Sequence, residues 1–315
     1  VTQNGSTAQS FILPNAASLQ FVSGNTFKGD LDVSQTGTGY VYFFSGNTFN
    51  GKVDAVSPHV FLNGSTFNDT TNITKNGSGS DVSNGGNTFN EVATLSNTSN
   101  GLFRLAQSSG DVFNKDVTFN NTGSAQFSIS YANTNTFSEN IIINNTSSSG
   151  MYFGQAGGTT TLLPGKTLSI GATGFTTGTL YLRNVTQNGS TAQSFILPNA
   201  ASLQFVSGNT FNGDLDISQT GTGYVFFFSG NIFNGKVDAV SPHVFLHGST
   251  FNDTTNVTKN GSGSDASNGG NVFNAVTTIV NAGTGEFRLS NTTRDTYNGN
   301  AVFTKSSSGL LRPAY

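Results

Sequence analysis

The residues best placed to do chemistry are the carboxylates Asp30, Asp32 and Asp54, with Lys52 among them; Asp214, Asp216, Asp238 and Lys236 repeat the set further along. Counted from the preceding Asn-Thr-Phe phenylalanine, Asp32 and Asp54 both lie five places on, and Asn72 falls in the same column. If successive segments stack in parallel, that column faces outward and brings like charges together, which is unfavourable. Lys52 lies three places after its phenylalanine, as Asp30 does, so it is expected to stack on Asp30 and relieve the repulsion. Three uses of such a cluster are open. It is a solvated salt-bridge patch, a Ca²⁺ site built from carboxylate oxygens, or a carboxylate pair for glycoside cleavage. The cluster occurs twice, which argues against one active site. His59 and His243 are the same position in two copies, and His247 stands where the first copy has Asn63. These read as polar residues on strand edges. No third ligand lies near them in sequence, and no Ser-His-Asp spacing stands out. No catalytic residue and no cofactor is therefore expected, Ca²⁺ being the one ion for which candidates exist.

A second group is aromatic. Tyr40, Tyr42 and Phe44 alternate with Val41 and Phe43, and Tyr224, Phe226 and Phe228 repeat the pattern. If Val41 and Phe43 face a core, the other three face outward as an interaction surface. Such a row suits a neighbouring filament first and a sugar ring second.

The elements that position these groups follow from a short repeat. An Asn-Thr-Phe phrase or a variant recurs with its aromatic at Phe27, Phe49, Phe67, Phe89, Phe113 and Phe137, then at Phe211, Phe233, Phe251, Phe273 and Tyr297. A period of about 20–25 residues predicts a solenoid. Four and six places after each aromatic come apolar pairs such as Leu31 and Val33, or Ile141 and Ile143. Residues two apart share one face of a strand. A further pair, such as Phe103 and Leu105, follows at fourteen and sixteen. Each unit is thus strand, turn, strand, turn, and buries its apolar face only by stacking. The predicted fold is all-β, a parallel β-solenoid with coils of about 18–26 residues. The aromatics form a core ladder, and Asn25, Asn47, Asn87 and Asn135, with Asn50, Asn68, Asn90 and Asn114, form amide ladders beside it. Between Phe137 and Phe211 the phase slips, with variant coil starts at Leu162 and Ile196 and a loop expected around Gly171–Thr179.

A long repeat lies over the short one. The string beginning at Val1 begins again at Val185, and residues 1–90 differ from 185–274 at eight positions. The chain reads as one continuous solenoid over 1–315, with repeats at 1–184 and, incomplete, 185–315. Charged residues are 9% of the 315, against roughly 25% in ordinary domains, and the net charge is −3. No basic footprint for nucleic acid is present. No apolar run reaches the ~20 residues of a membrane helix. Without cysteine there are no disulfides or thiolate metal sites. The chain starts in mid-pattern and reads as an internal piece of a longer protein.

The alternation of Ser45–Val56, SGNTFNGKVDAV, with Thr36–Gly46, TGTGYVYFFSG, resembles the repeat regions of giant β-solenoid cell-surface proteins of Bacteroidota, including type IX-exported gliding-motility adhesins. It is also similar to filamentous-haemagglutinin-like β-helices. The resemblance implies a secreted, extracellular or cell-surface location and a structural role as filament, fibre or adhesin stalk. It implies partners among neighbouring filaments, other surface proteins or glycans. The alternative is a glycan-binding or polysaccharide-degrading β-helix.

Overall fold

A computed structural model describes residues 1–314. All regular elements among them are strands, and the fold is a parallel β-solenoid, as the repeats predict. The chain forms two compact units, Val1–Thr173 and Gly174–Tyr315.

In the first unit each full coil carries three strands. A two-residue strand ends on the ladder aromatic, as in Thr26–Phe27. A five-residue strand follows, as in Leu31–Gln35, with alternate residues buried. A third, shorter strand such as Tyr40–Phe43 completes the coil. Each pairs in parallel with its counterpart one coil on: Phe27 with Phe49, Leu31 with Val53, Val41 with Val60. β-branched and aromatic residues suit this half-buried, pleated environment. The five-residue strands form one continuous ladder from Gln9–Leu13 to Ile141–Asn145. The second unit repeats the arrangement from Gln193–Leu197 to Ala301–Lys305.

The core is a stack of rings. Phe67, Phe89, Phe113 and Phe137 lie 4.8–5.1 Å apart, with planes within 5° of parallel. That spacing is the strand separation itself, about 4.7–4.9 Å, so near-untwisted stacking lets every ring contact two others. In the second unit Phe233, Phe251, Phe273 and Tyr297 stack at 4.9–5.1 Å with planes within 17° of parallel. The region where the sequence loses phase keeps the ladder with other residues. Leu162 takes the rung after Phe137, and Gln187 the rung before Phe211. The loop expected around Gly171–Thr179 is mostly strand: Gly171–Phe175 belongs to Leu168–Phe175, and Thr179 opens Thr179–Arg183. A strand there satisfies backbone groups that an extended loop would leave open.

Both amide ladders form. On the outside, Asn68 Nδ2 donates to Asn50 Oδ1 (2.7 Å), Asn90 to Asn68 (2.6 Å) and Asn114 to Asn90 (2.7 Å). On the inside the column runs Asn25, Asn47, Ser65, Asn87, Asp111, Asn135. A third column, at the end of the five-residue strands, is buried yet polar: Gln35, Ser57, Lys75, Asn97, Asn121, Asn145. Several of its side chains serve carbonyls of the turns that follow. Lys75 Nζ donates to Gly77 O (2.6 Å), Asn97 to Gly101 O (3.1 Å) and Asn145 to Ser147 O (2.8 Å). Buried carbonyls need such donors. Turns pack so closely that some positions exclude any side chain: a Cβ on Gly37 would lie 1.6 Å from the Asn15 carbonyl oxygen.

Candidate interaction surface

Val41 and Phe43 are fully buried, and Tyr40, Tyr42 and Phe44 stand half-exposed on the outer face of the same strand. Parallel pairing adds Phe61, directly beside Tyr42 on the next coil. Tyr42 is stacked on Phe44 at 4.0 Å and on Phe61 at 4.9 Å, and Tyr40 meets Phe61 edge-on at 6.3 Å. Gln20 donates to the Tyr40 hydroxyl at 2.5 Å. The second unit builds the same cluster. Phe226 is stacked on Phe228 at 3.9 Å and on Phe245 at 4.8 Å, with the His247 imidazole edge-on at 4.5 Å. Much ring surface is therefore spent within the cluster. Phe61, Phe245 and His247 join only because neighbouring coils bring them alongside.

The acidic clusters are placed differently from expectation. Asp32 and Asp54 do share an outward column with Asn72. Lys52, however, does not send its ammonium to Asp30. Its backbone N–H donates to Asp30 Oδ1 (3.0 Å), while Nζ turns along its own strand to Asp54 Oδ2 (2.7 Å). Residues two apart on a strand face the same side, so Asp54 is the nearer anion. The remaining Asp54 oxygen accepts from Asn72 Nδ2 (2.7 Å). Lys236, Asp214, Asp238 and Asn256 repeat this arrangement, with Asp216 beside Asp238 in the column. Asp54 and Asp238 are thus each held by an ammonium and an amide donor, as in a solvated salt-bridge patch. Among the described residues no group of three or more His, Cys, Asp or Glu could hold a metal ion.

His59 is more than a surface residue. Its Nδ1 lies 2.6 Å from Asp81 Oδ1, and the Asp81 side chain is fully buried. The other Asp81 oxygen accepts from the Val60 N–H (2.9 Å), and Ser83 Oγ accepts from the Leu62 N–H (3.1 Å). At this junction side chains take the place of ladder carbonyls. Lys75 Nζ, also fully buried, lies 4.0 Å from Asp81. Burial pushes the Asp81 carboxyl up, opposed first by the His59 hydrogen bond, and pushes the Lys75 ammonium down, opposed by Asp81. A Cβ on Gly79 would lie 1.9 Å from His59 Cε1, so the glycine is what lets the imidazole lie over the turn. His243 and Asp265 repeat the pair at 2.6 Å. The signal was in the sequence: Asp81 falls fourteen places after Phe67, where other coils carry Val41, Phe103 or Phe127.

Asp111 is buried as well. It stands in the inner amide column, where its Oδ1 accepts from both the N–H (3.0 Å) and Nδ2 (2.7 Å) of Asn87. Burial pushes its carboxyl up to about 6, against those two hydrogen bonds.

No family model, curated protein or solved structure matches the chain.

Proposed function

We propose that this chain is a structural segment of an extracellular filament or adhesin stalk, that it has no catalytic role, and that the aromatic clusters are its lateral contact surfaces. The observation that carries the reading is the uniformity of the coil-to-coil ladders. Parallel backbone pairing recurs from coil to coil, and rings and amides recur at most steps, so each coil depends chiefly on its neighbours and the chain lengthens without redesign. The near-identical long repeat is what such lengthening produces. Asp54 and Asp238 are engaged by lysine and asparagine on their own and neighbouring coils. The aromatic clusters are apolar, half-exposed and duplicated, which suits contact with another protein surface.

Sedimentation velocity tests the contact role. The wild-type protein is expected to associate with rising concentration, and the double variant Tyr42→Ser, Phe226→Ser to remain monomeric with unchanged circular dichroism. Equal association by both would remove the clusters from that role. Immunogold labelling of intact producing cells tests the location, and signal confined to the cell interior would overturn it.

A further inference from the structure

In the second unit the ring stack does not end blindly. Phe228, its terminal ring, lines an open groove of about 460 Å³ together with His247. That volume lies within the usual range for small-molecule sites, roughly 300–1,000 Å³. Three glycines, Gly248, Gly269 and Gly270, line the groove, all with positive φ. A Cβ on Gly269 would lie 1.9 Å from the Thr293 carbonyl oxygen, so glycine there lets the neighbouring turn pack closely beside the groove. Asn268 and Thr293 supply an amide and a hydroxyl beside the aromatic wall.

The lining contains no Asp, Glu, Lys or Arg. Its one titratable group, His247, is held below the ordinary histidine range by burial, opposed by a hydrogen bond to the Ala266 carbonyl. The wall is thus uncharged near neutral pH. The first repeat differs at this place. There Asn63 replaces His247 and spends its Oδ1 on the Asn84 N–H at 2.7 Å. His247 instead packs edge-on against Phe226 and Phe228.

An aromatic wall, hydrogen-bonding groups along the sides, a glycine-lined interior and no charge match one ligand chemistry: a ring with an apolar C–H face and a rim of hydroxyls. We propose that this groove binds a neutral pyranose unit of a glycan, with the sugar's C–H face against Phe228 and its hydroxyls on Asn268 and Thr293. The proposal goes beyond the stalk reading and does not depend on it. A stalk with no sugar site, and a sugar-binding solenoid with no structural role, would each be recognised separately.

The test is a protein-observed NMR titration of the full chain with four probes: methyl α-mannopyranoside, methyl β-glucopyranoside, methyl β-galactopyranoside and N-acetylglucosamine. At least one is expected to shift resonances of Phe228, His247, Asn268 and Thr293 saturably in the millimolar range. Phe228→Leu, which keeps an apolar side chain but removes the ring face, is expected to weaken that probe at least tenfold. If Phe228→Leu fails to fold, His247→Asn replaces it, since the first repeat carries asparagine at the matching position; it too is expected to weaken binding. Glucuronate is expected to bind more weakly than its neutral counterpart. No saturable shift with any of the four neutral probes would overturn the proposal. So would shifts that map elsewhere, or affinity untouched by the variant that folds.

Discussion

Replacing Asp111 by asparagine should make the protein more stable at pH 7, which is unusual for a change inside a hydrogen-bonded core. Asp111 is fully buried in a column otherwise built of amides and a serine hydroxyl. Its carboxyl is raised from 3.8 to about 6, because burial outweighs the two bonds from Asn87. The folded protein therefore holds the proton more tightly than the unfolded chain does. Between those two values the native state binds more protons, so stability falls as pH rises through the window and levels off above it. At about 1.4 kcal/mol per pH unit, the loss is about 3 kcal/mol at pH 7. Asparagine has no charge to desolvate. Its Oδ1 accepts from Asn87 as now, and its Nδ2 supplies a donor facing Asn135, which the carboxylate lacks. Guanidinium unfolding at half-unit steps from pH 4 to pH 8 measures the effect. Asp111's contribution to wild-type stability should fall by about 2 kcal/mol across that range, and Asp111→Asn should lose markedly less and be the more stable at pH 7. A variant less stable than wild type at pH 7, or a wild-type profile that rises over the window, would refute the reasoning.

Other outcomes follow from the same geometry. Phe89→Ala removes a ring stacked on both sides and should cost about 3–5 kcal/mol in denaturant unfolding; Phe89→Leu should cost clearly less. Asp81→Ala strips the acceptor from His59 and the Val60 N–H and leaves Lys75 without its counter-charge, a loss of about 3–5 kcal/mol, with proteolysis expected first near the His59–Leu62 strand. Gly37→Ala sets a methyl against a backbone carbonyl with nowhere to move, and a lowered melting temperature measures it. Millimolar Ca²⁺ or EDTA should leave the melting temperature unchanged, since Asp54 is already bonded to Lys52 and Asn72; a rise with Ca²⁺ would restore the calcium reading of Asp30, Asp32 and Asp54.

Much of the fold was legible because a solenoid writes its geometry as a period. The spacing of the ladder aromatics gave coil length, and the apolar pairs four and six places on gave the buried strand face. Phase was lost where the rung residue changed type: Leu162 and Gln187 fill aromatic positions without looking like them. The outward aromatic row was readable from alternation alone. The partners of its rings were not, because Phe61 and Phe245 join from another coil.

What the chain's own residues determine is the strand period, the inward face of each strand and the columns that stacking creates, since all three depend on side-chain alternation and a constant coil-to-coil step. What only the tertiary structure decided is how each column's polar groups are satisfied. Lys52 chose Asp54 over Asp30, His59 found Asp81 twenty-two residues on, and Lys75 became a donor to a turn carbonyl inside the core. Those choices turn on differences of an ångström or two and on burial, and such distances exist only once the coils have stacked.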